Sequence, residues 1–327
     1  MALCHLLPAA IGFPGNPRKG RLPSAAMTKP AVAPSQILAH LARRFADISD
    51  FQRMSEGEES QAFGFGDAGS PYIARINHSS AGFEKDRFLF QRFASADLPI
   101  PPIVTIDPLG DGDHWCCVSR RAAGITLEDM AVADLPAILD PVSKILDAIA
   151  GADTAGTSGF GPFDASGVGR FRNWRDFLLA GNEDCRDWGK AAIQVDMGRV
   201  RAILDRTGQL VAHCPEIRKL VHGDFGSNNV LADAGRITGV IDWSEALLGD
   251  PLYDVANILF WRPWLDCMEQ QAHFFESSQP DRLHHRQRLV CFQLRIGIEV
   301  LYDAALEGSD ADMSWALARC EDIAEAN

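Results

Sequence analysis

Leu220-Val-His-Gly-Asp-Phe-Gly-Ser-Asn-Asn-Val-Leu231, with Val240-Ile-Asp-Trp243 beyond it, is the stretch on which the reading of this 327-residue chain turns. His222, Asp224 and Asn229 satisfy H-x-D-x-x-x-x-N, a spacing found in loops that transfer phosphoryl groups. Apolar runs at 229–232 and 237–241 flank Asp233-Ala-Gly-Arg236, which has the composition of a hairpin turn. With the turn centred between Gly235 and Arg236, Asn229 faces Asp242 at the open end of the hairpin. An amide oxygen and a carboxylate brought together there can share Mg²⁺ bound to nucleotide phosphates. Asp224, just ahead of the hairpin, is then placed to accept or orient a hydroxyl proton. Asp, Asn and Gly also gather at turns for conformational reasons alone. Here the Asp–Asn step, the mirror-placed Asp242 and the apolar flanks coincide. His222 is read as an orienting residue.

A nucleotide phosphate also needs a cradle. Gly64-Phe-Gly-Asp-Ala-Gly69 matches G-x-G-x-x-G, but Arg75, the candidate phosphate-gripping cation, follows Gly69 by only six positions. A second strand and its return turn need about eleven. The motif is therefore read as a hairpin turn. Ser55-Glu-Gly-Glu-Glu-Ser60 lies at a workable distance, 18 positions from Gly57 to Arg75, so Ser55, Gly57 and Ser60 are the candidate phosphate loop. Arg75 in Ile73-Ala-Arg-Ile76 parallels the V-A-I-K strand, with a guanidinium able to grip phosphate bidentately. Its acidic partner is expected on the following helix, and Asp86 is preferred to Glu84.

Outward from these motifs the chain divides in two. Residues 35–120 carry a helix from Ser35, strands over 55–78, a helix at about 83–95, and strands at Ile103–Asp107 and His114–Arg120. Residues 121–327 read as mostly helical, with helices near 135–150, 174–180, 194–213, 250–260, 283–306 and 311–325. Leu135, Ile138, Leu139, Val142, Ile145, Leu146 and Ile149 form one apolar stripe. The predicted architecture is α+β: a small β-rich lobe, a hinge near 119–124 and a larger helical lobe. Residues 1–34, with six prolines and no helical period, are expected to be a disordered extension, with Met27 as a natural start.

Composition excludes several functions. Hydrophobic residues make up 46% and charged residues 23%, so the chain can bury a substantial core. No apolar run reaches transmembrane length. The net charge of −13 argues against coating nucleic acid or a membrane and suits a cationic ligand. None of the eight cysteines forms a C-x-x-C pair; they are read as thiols of a reducing, cytoplasmic compartment.

These motifs, with Gly159-Phe-Gly-Pro-Phe163, Val240–Ala246 and Phe260-Trp-Arg-Pro-Trp264, resemble the aminoglycoside phosphotransferases, and within them the hygromycin B 4-O-phosphotransferase branch. The resemblance covers about residues 28–325. It implies a two-lobed protein-kinase-like fold, ATP (with GTP not excluded) and Mg²⁺ as cofactors, and inactivation of an antibiotic. By position it implies Asp224 as catalytic base, Asn229 and Asp242 as Mg²⁺ ligands, and Arg75 with Asp86 as phosphate-positioning residues. Backbone near Ser119–Arg121 would meet adenine. The Arg/Asp pair departs from the family's usual Lys/Glu.

For a polyhydroxylated polycation, Asn228, Glu245, Trp261, Trp264 and Glu269 are candidate binding residues, since they lie close to the catalytic elements in sequence. Trp261 and Trp264 could equally be core packing. A cap is the expected use of Asp250 and Asp254, and a solvated helix face that of Asp281–Arg288. The expected enzyme is a monomer. Two alternatives stay open: a kinase of the same fold acting on another aminoglycoside or an amino alcohol, and a pseudokinase without turnover.

Overall fold

The computed structural model describes residues 29–54, 60–110, 112–180, 188 and 194–326. The first lobe is one antiparallel sheet. Strands β1 (Ile48–Arg53), β2 (Gln61–Asp67), β3 (Ser70–Asn77), β4 (Ile103–Leu109) and β5 (His114–Arg120) lie in the order β1-β2-β3-β5-β4. Asp67 faces Ser70 across the two-residue loop Ala68-Gly69, whose φ values of 47° and 76° are those of a tight hairpin turn. Gly64–Gly69 is thus strand and turn, as its spacing from Arg75 requires.

Helix α1 (Pro34–Leu41) turns Ile37 and Leu41 onto Phe45, Phe63, Phe65, Tyr72 and Ile76, the core of this lobe. The chain ahead of α1 corrects an expectation. Val32 N–H donates to Gln61 Oε1 at 2.9 Å, and Gln61 Nε2 donates back to Val32 O at 3.3 Å. Val32 is therefore tied to β2 rather than part of a loose extension; residues 1–28, with Met27, lie outside the described residues.

Helix α2 (Ala81–Phe93) belongs to both lobes. It follows β3, yet Leu89 and Phe93 pack into the large core with Leu98 and Ile100. That core is built mainly by helices: α3 (Leu139–Gly151), α4 (Trp174–Leu179), α5 (Met197–Leu210), α6 (Leu252–Trp261), α7 (Asp266–Ser278), α8 (Arg286–Glu307) and α9 (Asp310–Glu325). The predicted stripe of α3 is buried at Val142, Ile145, Leu146 and Ile149, each such side chain stabilising the fold by about 1.5–3 kcal/mol.

Two small sheets sit where the helices meet the first lobe. One has the order β11-β10-β6, from β6 (Ile125–Thr126), β10 (Val230–Asp233) and β11 (Arg236–Val240). The other has the order β8-β7-β12-β9, from β7 (Phe160–Phe163), β8 (Gly169–Phe171), β9 (Lys219–Val221) and β12 (Leu247–Gly249). The sequence pattern does not predict the second sheet, β1 or α7. Among the described residues no helix is long and apolar enough to cross a membrane.

Candidate active site

The β10–β11 hairpin turns one position earlier than its sequence suggested. Asp233 pairs with Arg236 across Ala234-Gly235, both at positive φ, and an irregularity between Leu231 and Ala232 shifts the register so that Val230 faces Val240. Ile241 N–H donates to Asn229 O at 2.9 Å. Asn229 therefore lies opposite Ile241, not Asp242, but both candidate metal ligands remain at the open end.

The loop 222–229 is held by buried side chains from two helices behind it. Asp254 of α6 accepts His222 N–H at 2.9 Å and Gly223 N–H at 2.8 Å through separate carboxylate oxygens. Asn257 Nδ2 donates to Phe225 O at 3.0 Å, and Gln271 Nε2 of α7 donates to Gly226 O at 2.6 Å. Burial pushes Asp254 up to about 7, and the two N–H donors offset only part of that. Gly223 cannot be another residue: its φ is 84°, and a Cβ there would stand 2.2 Å from Glu245 O. His222 is fully buried, its ring 4.4 Å from that of Trp243, and its Nε2 is 3.1 Å from Ile241 O.

Asn229 Nδ2 donates to both Asp224 O and Asp224 Oδ2 at 2.9 Å. With the amide nitrogen so engaged, Asn229 Oδ1 is the atom the side chain can offer to a cation. Asp242 is exposed, sits at φ 57°, and accepts Ser244 Oγ at 3.0 Å. An amide oxygen and a carboxylate form a hard-oxygen set that fits Mg²⁺.

On the first lobe, Arg75 Nη2 donates to Asp86 Oδ2 at 2.5 Å, and the guanidinium lies 5.2 Å from the Phe83 ring. Burial works to discharge Arg75, and the Asp86 carboxylate, with smaller help from Cys117 and Asp242, more than reverses this, so its pKa is raised. Glu84 pairs instead with Arg87. Ser60 Oγ accepts from Asn77 Nδ2 at 3.3 Å, at the end of the β1–β2 connection; Ser55 and Gly57 lie outside the described residues. Ser119 is buried within β5. Arg120 and Arg121 already donate their amides to Pro102 O and Pro71 O, leaving carbonyl oxygens as their offering to a base.

Among the substrate candidates, Asn228 is exposed beside the catalytic loop and Glu245 is half-buried next to Asp242. Trp261 requires a correction. It is 1% exposed and stacked 5.3 Å from Trp315 of α9, so its ring is core and has no face for a sugar. Trp264 is half-buried, edge-on to Trp315. Glu269 is engaged by Arg262, whose Nε and Nη2 donate to it at 2.7 and 3.1 Å. Asp254, expected as a helix cap, instead spends both carboxylate oxygens on the 222–229 loop. Asp250 Oδ1 accepts the N–H of Leu252, the first residue of α6, at 3.1 Å, and its carboxylate is also gripped by Arg288.

The model of the phosphotransferase enzyme family matches residues 50–287. The chain belongs to that family. The phosphotransferase is 46% identical to the hygromycin-B 4-O-kinase of Escherichia coli over 298 residues, which is 91% of this chain and 87% of the relative. The crystal structure of the aminoglycoside phosphotransferase APH(4)-Ia superposes with a TM-score of 0.85 at 45% identity, covering 90% of this chain and 99% of that one. A thermostable mutant of it, in ternary complex with AMP-PNP and hygromycin B, superposes at 0.82 and 47% identity, covering 88% and 97%. The two-lobed kinase-like fold is thus shared, and the phosphotransferase is an enzyme with an alcohol group as acceptor.

Proposed function

We propose that this phosphotransferase transfers the γ-phosphate of ATP to the 4-hydroxyl of hygromycin B and so inactivates the antibiotic. The observation that carries the reading is the hydrogen-bonded Asp224–Asn229 pair at the open end of the hairpin, one residue from Asp242. The 46% identity to a hygromycin-B 4-O-kinase supports the substrate.

The chain's residues divide the work. Asp224 orients the acceptor hydroxyl and takes its proton as the oxygen attacks phosphorus in line, with no covalent enzyme intermediate. Arg75, held by Asp86, grips the phosphates, and Ser55, Gly57 and Ser60 are the further candidates to contact them. Asn229 and Asp242 would hold Mg²⁺, which neutralises phosphate charge when bound. Carbonyl oxygens of the 119–121 hinge meet the base. Asn228, Glu245 and the exposed part of Trp264 face the cationic sugar, drawn in by the net charge of −13. Residues 35–120 then serve as the nucleotide lobe and 121–327 as the catalytic and substrate lobe, in a cytoplasmic monomer.

The core position of Trp261 favours a second reading, a related hydroxylated cation as substrate. ADP release with Mg-ATP and a panel of aminoglycosides separates the two. Turnover with hygromycin B alone is expected; turnover only with another compound replaces the substrate and keeps the reaction. Absence of turnover throughout, with ATP still bound, places the acceptor outside the panel.

A further inference from the structure

Lys85 sits on α2, one residue before Asp86, and is only 7% exposed. Its Nζ donates to Ser244 O at 2.8 Å and Ala246 O at 3.1 Å, and lies 4.7 Å from the centre of the Phe163 ring of β7. A buried ammonium is costly unless it is hydrogen-bonded, and an apolar side chain would fill the same space at less cost. Burial does draw Lys85 down, to about 8. Glu245, Asp86 and Asp242 oppose that, and Arg170 of β8 adds to it. What the ammonium accomplishes is a link across 159 and 161 residues of chain, from the helix that carries Asp86 to the segment that begins at Asp242.

Both ends of that link matter for the site. Asp86 holds Arg75, and Ser244, whose carbonyl Lys85 grips, bonds Asp242 through its hydroxyl. Within the segment 242–246, Asp242 stands at φ 57°, Ala246 N–H closes a turn onto Trp243 O, and Trp243 Nε1 donates to Val240 O at 3.1 Å. We propose that Lys85 is a positioning residue that fixes the distance between the Arg75–Asp86 pair and Asp242, so that the phosphate-gripping and metal-holding groups meet one nucleotide together. This rests on the phosphoryl-transfer reading of the site. Lys85 touches no reacting atom.

The test compares Lys85→Met with wild type in the full chain. AMP-PNP binding is measured calorimetrically with and without Mg²⁺, and steady-state rates are measured with hygromycin B. In the variant, the gain in AMP-PNP affinity given by Mg²⁺ should fall about tenfold, and kcat should fall about tenfold or more. KM for hygromycin B should stay within about twofold. A merely structural lysine would leave the Mg²⁺ gain and kcat within about twofold in a folded variant, which overturns the proposal. Should Lys85→Met not fold, Lys85→Gln is read in the same way. Wild type that binds Mg-AMP-PNP but does not turn over hygromycin B counts against the substrate alone, and the binding measurement still decides Lys85.

Discussion

Asn229 donates its side-chain amide to Asp224 twice, at 2.9 Å to the backbone carbonyl and 2.9 Å to Oδ2. One amide thereby fixes the orientation of the candidate base and turns its own oxygen toward the candidate metal position. Asn229→Asp keeps an oxygen for Mg²⁺ but sets a carboxylate against Asp224. The expected result is a fall in kcat of about 10²-fold, with a higher Mg²⁺ requirement, read from rates across a Mg²⁺ titration.

Arg75 and Asp86 should act as a unit. Arg75→Met removes the phosphate grip and leaves a buried carboxylate uncompensated, so kcat/KM for ATP should fall about 10²-fold. Asp86→Asn should cost less once Arg75→Met is present than it does alone. A double-mutant cycle measures this, and additive losses would separate the pair.

Gly223 is fixed by its φ of 84° and by the Glu245 carbonyl behind it. Gly223→Ala should lower stability by about 2 kcal/mol or more and displace the loop. Denaturant unfolding measures the loss.

These predictions rest partly on what the chain shows unfolded and partly on what it does not. The hairpin, the Asp224–Asn229 step and the Arg75–Asp86 pair are legible because strand alternation and local spacing place them. The hairpin register is not, because Ala234 takes a positive φ that its side chain does not advertise and an irregularity follows. Helix α7 escapes periodicity because its buried face is Cys267, Met268, Gln271, Ala272 and Phe275, only partly apolar. Strands β9 and β12 have three residues each, too few to show a period. Proximity along the chain suggests Trp261 as a substrate contact, whereas α6 turns it into the core against Trp315. Asp254 and Lys85 matter through partners 31 to 161 residues away, which no local pattern encodes.

Asp254 also predicts a pH dependence. Its pKa rises from 3.8 to about 7 on folding, because burial outweighs the two N–H donors. Between these values the folded chain holds a proton that the unfolded chain has lost. The linked stability is therefore full below about pH 4 and is lost as pH rises through about 7. Urea unfolding from pH 5 to 8 should show wild type losing stability relative to Asp254→Asn, which cannot titrate. Parallel curves would remove the assignment.

The proposed role of Asp224 in phosphoryl transfer to hygromycin B is measured by kcat of Asp224→Ala at saturating Mg-ATP and hygromycin B. A fall of about 10³-fold or more is expected, with both ligands still bound and the fold intact. Turnover retained within about tenfold of wild type would contradict it.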